Sequence, residues 1–296
     1  MRKLGVFVAF TLAACAKKDL LPRTAQGATV LEVRGAIKGG PHALGQADLE
    51  RVPRLKVRGV HPRTGRAAEW EGPSLAALVS DRVDLRRGAD TVVVRTADHT
   101  AIPIPLPVIR QLKPVLVDRM DGVRITPAEI AWPTAEQRGL ATDPRAVSWW
   151  AQDVVALELV DWQRTFGPAL APPEGARDEA RRGASIYAES CISCHRVRGQ
   201  GGERGPDLTT VTTRIALERF SELLPSHPGW KERRARDGAE EIVAEVWAFL
   251  HGVAAVPTPA ATAEEPVTAE RPPKTGEPSP KPSEPPPRTA EPPPSK

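Results

Sequence analysis

Cys191-Ile192-Ser193-Cys194-His195 is the stretch from which the rest of this 296-residue sequence is read. Two thiols three positions apart, followed at once by an imidazole, form C-x-x-C-H, the signature at which a c-type haem is attached. The thiols add across the two vinyl groups of the porphyrin, and the adjacent imidazole is thereby held under the iron as an axial ligand. A zinc ribbon would need a second cysteine pair, and the only other cysteine in the chain is Cys15. A redox dithiol of the thioredoxin kind would sit between a strand and a helix. Here a helix-forming run precedes the pair and a Gly-rich segment follows.

Working outward, Glu174 to Ser190 reads as a helix with Ile186 and Tyr187 on its apolar face. Asp237 to His251 reads as a second helix, with Ile242, Val246, Phe249 and Leu250 at helical spacing, Trp247 beside them and Gly252 as its stop. Between them stands Gly205-Pro206-Asp207-Leu208. Over residues 174–253 these pieces resemble a small all-α class I cytochrome c domain. The resemblance implies that Cys191 and Cys194 tether one haem c, that His195 is the proximal iron ligand, and that the Pro206 carbonyl fixes the ring of His195 as part of the haem surroundings.

The sequence departs from that family at the sixth ligand. Its only methionines are Met1 and Met120, both outside this region, so thioether ligation is not expected. Where the family reads Met-Pro, this chain reads Ser226-His227-Pro228, which makes His227 the expected distal ligand. An open or water-bound iron, ligation by His251, and a simple loop histidine at 227 remain alternatives. The choice matters because methionine ligation raises the potential and a second imidazole lowers it.

At the other end, Arg2 and Lys3 precede the apolar run Leu4 to Ala14, which is too short to span a bilayer. The run closes on Leu12-Ala13-Ala14-Cys15, which looks like a bacterial lipobox with Cys15 as the lipidated residue. An ordinary secretory signal with a chance cysteine is the alternative, and either implies export. Residues 1–15 are then a lipoprotein signal and 16–26 a tether. The chain is expected on the periplasmic side of a bacterial cell envelope, anchored by lipid to a membrane surface.

Residues 27–166 change character. Thr29 to Gly35, Leu55 to Val60, Thr91 to Arg95 and Val154 to Trp162 read as strands, with a short helix over Pro73 to Val79. Leu31 to Gly35 with Gly39-Gly40-Pro41, Leu49-Glu50-Arg51-Val52-Pro53, Trp70-Glu71-Gly72-Pro73-Ser74-Leu75, Thr96-Ala97-Asp98 and Trp149-Trp150 together resemble the mixed α+β molybdopterin-binding domain of the sulfite oxidase family. That family's molybdenum needs a protein thiolate upstream of the W-x-G, and no cysteine lies between Cys15 and Cys191. The stretch Pro127 to Pro133 also departs from the family's G-G-P. A molybdenum-free domain is expected, without molybdopterin. His42, His61 and His99 are expected as surface loop histidines, and Trp70, Trp132, Trp149 and Trp150 as core or interface aromatics.

Pro168, Pro172 and Pro173 mark a linker over 167–173, and residues 254–296 form a Pro-rich tail with almost no large apolar side chain, expected to be disordered. A net charge of +4, without a dense basic patch interleaved with aromatics, gives no expectation of nucleic-acid binding. Arg196, Arg198 and Arg204 follow the haem signature and would be either solvated side chains or a rim that steers an acidic redox partner.

The multidomain sequence is expected to serve one-electron transfer between periplasmic or membrane redox proteins rather than catalysis. Two alternatives stand beside it: a molybdopterin-dependent sulfite dehydrogenase-like enzyme with fused haem c, which molybdenum in the protein would favour, and a haem-based sensor with open iron, which carbon monoxide binding would favour.

Overall fold

The run Thr91-Val92-Val93-Val94 does not alternate between apolar and polar, and its surroundings give the reason. In the computed structural model, which describes residues 19–61, 64–141, 149–227 and 239–255, this run lies in strand β5, Thr91–Thr96, inside a sheet covered on both faces. Successive side chains of a strand point to opposite faces. Val92 and Val94 therefore enter the core of the N-terminal half, while Val93 enters the core of the C-terminal helical region.

The sheet holding β5 has five strands. β1 (Leu31–Gly35) and β2 (His42–Leu44) pair antiparallel; helix α1 (Gln46–Glu50) follows, and then a second sheet begins with β3 (Arg54–Val60) and β4 (Ala67–Pro73). After β5 and β6 (Ala101–Pro105), helix α2 (Leu106–Leu112) leads back to β7 (Val115–Met120) and β8 (Val123–Ala131), which complete the second, four-stranded sheet in the order β3-β4-β7-β8. A short helix α3 (Arg138–Ala141) precedes β9 (Val154–Val160), which inserts parallel to β1 and antiparallel to β5, giving the order β2-β1-β9-β5-β6. The expected strands are all present with edges moved by one or two residues, and the helix expected over Pro73 to Val79 is a helical turn whose second part, Ala77–Asp81, is π-wound.

The W-x-G-x-x-L segment is framework. Trp70 and Leu75 are fully buried, and a Cβ on Gly72 would fall on the Leu116 carbonyl of β7, so only glycine lets the two strands approach. The indoles of Trp70 and Trp150 meet edge to face at 5.1 Å, and those of Trp132 and Trp149 lie tilted by 35° at 5.3 Å.

Two of the three histidines expected on surface loops are instead buried. His42 is 1% exposed because β2 turns it inward, where its Nδ1–H donates to the Pro22 carbonyl at 2.9 Å. Burial holds its proton affinity below the ordinary histidine value, although the Pro22 bond opposes that shift. His61 is 6% exposed, packs at 5.1 Å against Trp150 with the rings tilted by 58°, and lies 3.9 Å from the carboxylate of Glu129, itself buried. Only His99 is exposed, in a left-handed turn with φ 63°.

The segment expected as a linker carries structure. Helices α4 (Trp162–Thr165) and α5 (Gly167–Leu170) bury Phe166, Ala169 and Leu170 against Val93, Ala101 and Val160 of the five-stranded sheet. Beyond them α6 (Asp178–Ser190) packs across α8 (Ala239–Ala255), with α7 (Leu217–Leu223) between them in sequence. A Cβ on Gly183 would fall on the Glu245 carbonyl of α8, which is why glycine stands at the crossing. Gly252 does not stop α8, which runs on to Ala255. A Cβ there would sit 3.0 Å from the Pro173 ring, so the glycine makes room for the approaching chain.

The expected signal, with Cys15, and the Pro-rich tail from residue 256 onward lie outside the described residues. No described helix is long and apolar enough to cross a membrane.

Candidate haem site

Helix α6 ends where the signature begins. The Cys191 amide still bonds back to the Tyr187 carbonyl at 2.9 Å, and Cys194 and His195 both donate their amides to the Cys191 carbonyl, at 3.1 and 2.9 Å. That turn gathers the two cysteines and the histidine into one loop. Cys191 and Cys194 are not joined in a disulfide, and each is half-buried.

The His195 ring is fixed from several directions. Its Nδ1–H donates to the Pro206 carbonyl at 2.8 Å, which leaves Nε2 as the unprotonated nitrogen, free of that bond and turned toward His227. Gly205 lies so close to the ring that a Cβ there would collide with it. From behind, the Tyr187 hydroxyl donates to the His195 carbonyl at 3.0 Å. Burial pushes the Tyr187 phenol well above its usual range, so it stays a donor. The apolar face of α6 marked Tyr187 as core in the sequence, but nothing there signalled the bond to His195.

Opposite His195 stands His227, at the end of the short turn Leu224–Ser226 that follows α7. The two Nε2 atoms face each other at 3.3 Å, with ring planes 26° apart. Desolvation, and then the neighbouring His195, lower the proton affinity of His227, which favours the neutral imidazole that a metal requires. An iron held by two imidazoles on opposite sides, each at about 2 Å, would need a nitrogen separation of about 4 Å. The pair stands less than about 1 Å short of that span, so these residues fit an iron between them. Pro228, Gly229 and Trp230 lie outside the described residues. His251 is exposed on α8, whereas the imidazole that faces His195 is that of His227. Among the described residues no group of three or more His, Cys, Asp or Glu side chains could hold a metal ion, in either half of the chain.

Residues 180–236 match the cytochrome c family. This cytochrome c region implies a covalently bound haem c, and haem-based electron transfer is what such a region supports. No curated protein sequence matches the chain. Among solved structures it is similar to the sulfane dehydrogenase SoxCD from Paracoccus pantotrophus, at 16% identity and a TM-score of 0.36 over 44% of this chain. The chain spans 38% of the length of that protein.

The arginines that follow the signature are engaged within the chain. Arg198, in a left-handed conformation at φ 48°, opens with Gly199 the tight turn of the small hairpin β10 (Arg196–Val197) and β11 (Gln200–Gly201). Its guanidinium donates to the carbonyls of Pro168 and Ala171, which ties the cytochrome c region to the segment before it. Arg196 pairs with Glu203 at 3.1 Å, and Arg204 with Asp98 of the front half at 3.4 Å.

Arg204 belongs to a wider joint that the sequence did not disclose. The turn after β5 is knotted by Asp98, whose carboxylate accepts from the hydroxyls of Thr96 at 2.6 Å and Thr100 at 2.8 Å. From this turn the His99 carbonyl accepts the Glu203 amide at 2.9 Å, and the Ala101 amide donates to the carbonyl of Ser193, inside the signature itself, at 2.8 Å. The front half thus holds the haem loop at two main-chain points.

Proposed function

We propose that the chain is a monohaem c-type cytochrome of the bacterial cell envelope, lipid-anchored through Cys15, that passes single electrons between periplasmic or membrane redox proteins. The observation that carries this reading is the pair of Nε2 atoms of His195 and His227 facing each other at 3.3 Å, with Cys191 and Cys194 outside any disulfide in the same loop as His195. A bound haem c supplies one-electron exchange between Fe(III) and Fe(II). The chain's own residues do the rest. Cys191 and Cys194 tether the group. His195 holds it from the proximal side in the tautomer set by Pro206, and His227 closes the distal side.

Two imidazole ligands give a lower potential than histidine with methionine, which suits a carrier rather than a terminal oxidant. The front half acts as a scaffold and docking body. It grips the loop at Ser193 and Glu203, while His227 stands on the solvent side, from which a partner can approach.

The test is an electron paramagnetic resonance spectrum of the oxidised holoprotein beside that of His227→Ala. A low-spin signal in the parent that becomes high-spin in the variant is the expected result. High-spin iron already in the parent, or carbon monoxide binding to the reduced parent without denaturant, would overturn His227 as ligand and favour a sensor.

A further inference from the structure

All five carbonyls of the haem loop, Cys191 to His195, accept a hydrogen bond. Four are served from within the cytochrome c region. The Cys191 carbonyl takes the amides of Cys194 and His195, Ile192 takes that of Gly202, Cys194 that of Gly205, and His195 the Tyr187 hydroxyl. The fifth, on Ser193 between the tethering cysteines, takes the Ala101 amide of the front half at 2.8 Å.

The outer edge of β6 is arranged around that donor. β6 is the last strand of its sheet, and its backbone groups face alternately toward β5 and away from it. The Thr100 carbonyl accepts from Thr96 on the inner side, and the Ala101 amide leaves on the outer side, so Pro103 and Pro105 share the outer side with Ala101. The two prolines have no N–H to give, which makes this edge a poor template for another strand. The one amide it does offer goes to the haem loop. Ala101 is 2% exposed, and the turn before it is fixed by the bonds from Thr96 and Thr100 to Asp98.

We propose that Ala101 is a positioning residue for the haem, through which the front half raises the reduction potential of the iron. The positively polarised hydrogen of its N–H points into the loop two residues before His195, and that field favours an added electron. The same bond keeps water off the Ser193 carbonyl, and water would favour the more highly charged ferric state. Both effects act in one direction. The proposal rests on haem attachment at residues 191–195 and is independent of the sixth ligand.

The experiment is potentiometric titration of the holoprotein carrying Ala101→Pro beside that carrying Ala101→Val. Each adds two carbons at a buried alanine, but only proline removes the donor. The proline variant is expected to have a reduction equilibrium roughly three- to tenfold less favourable than the valine variant, tenfold being ~59 mV for a one-electron couple. A second measurement needs no variant, because a bond that favours the electron is in turn favoured by it. In the parent holoprotein the Ala101 amide should exchange with solvent more slowly in the reduced than in the oxidised state, by the same factor, with the amides of β5 as reference. One potential for both variants, or one exchange rate for Ala101 in both oxidation states, overturns the proposal, and the exchange decides alone if the proline variant fails to fold. A parent whose mass shows no covalent haem would overturn the haem reading itself, which sets the two failures apart.

Discussion

The two halves of the molecule close their cores by different means. The front half packs two sheets against each other around Trp70, Trp132 and Trp150, all fully buried, and draws that core from its own strands and helices. The C-terminal region is built from α6, α7 and α8 and places Val93, Ala101 and Val160 of the front sheet in its own core. A small helical region gains stability from a neighbour and from a tethered cofactor, since few helices bury too little surface alone. The difference teaches that the front half is a wall of the haem-binding region as well as an attached module.

The comparison breaks hardest at Trp70. Trp70→Ala removes a fully buried indole from between the sheets and should cost about 3–5 kcal/mol. Thermal unfolding followed by far-ultraviolet circular dichroism would show the loss, and the haem absorption should collapse in the same transition because the sheet is one wall of that region. Retention of a separate, unshifted haem transition would mean that the C-terminal region stands by itself.

A smaller loss is expected at the helix crossing. Gly183→Val places a Cβ and two methyl groups where the Glu245 backbone already lies and should destabilise by roughly 1–3 kcal/mol. Here the haem transition should move first, with the tryptophan core of the front half holding to higher temperature. An equal shift of both would say that the halves unfold as one.

The smallest effect concerns pH and sharpens the contrast, because it belongs to the front half. Burial lowers the proton affinity of His42 below its ordinary value of 6.5, so between its folded and unfolded values the unfolded chain binds the extra proton. The associated stability is fully present above about pH 6.5 and is lost as the pH falls toward the folded value. Denaturant titrations at stepped pH should show this decline, and His42→Gln should flatten it. A slope unchanged in the variant would move the titration to another group.

Much of the haem region was legible in the sequence because its chemistry is local. C-x-x-C-H is one turn of chain, Pro206 stands eleven residues beyond His195, and the helix faces repeat at a spacing that a linear reading detects. The strands of the front half were legible for the same reason. His42 and His61 were not, because a polar residue near a turn is equally compatible with a loop and with an inward-facing strand position, and only the opposing sheet decides. Gly252 was misplaced because a helical glycine serves either as a stop or as clearance for a neighbour, and the neighbour, Pro173, is remote in sequence.

The sequence by itself pointed to haem attachment at the C-x-x-C-H of residues 191–195, with His195 as proximal ligand in the family resembled, and to a strand-rich half preceding a helical one. Only the tertiary structure decided that His227 faces His195, that Asp98, His99 and Ala101 grip the haem loop, and that Arg198 and Arg204 are engaged within the chain. Periodicity and motif spacing report contacts made within a few residues. A joint between Ala101 and Ser193 comes into being only when β6 and the signature are packed together, and the free energy that brings them together is spread over the whole shared core.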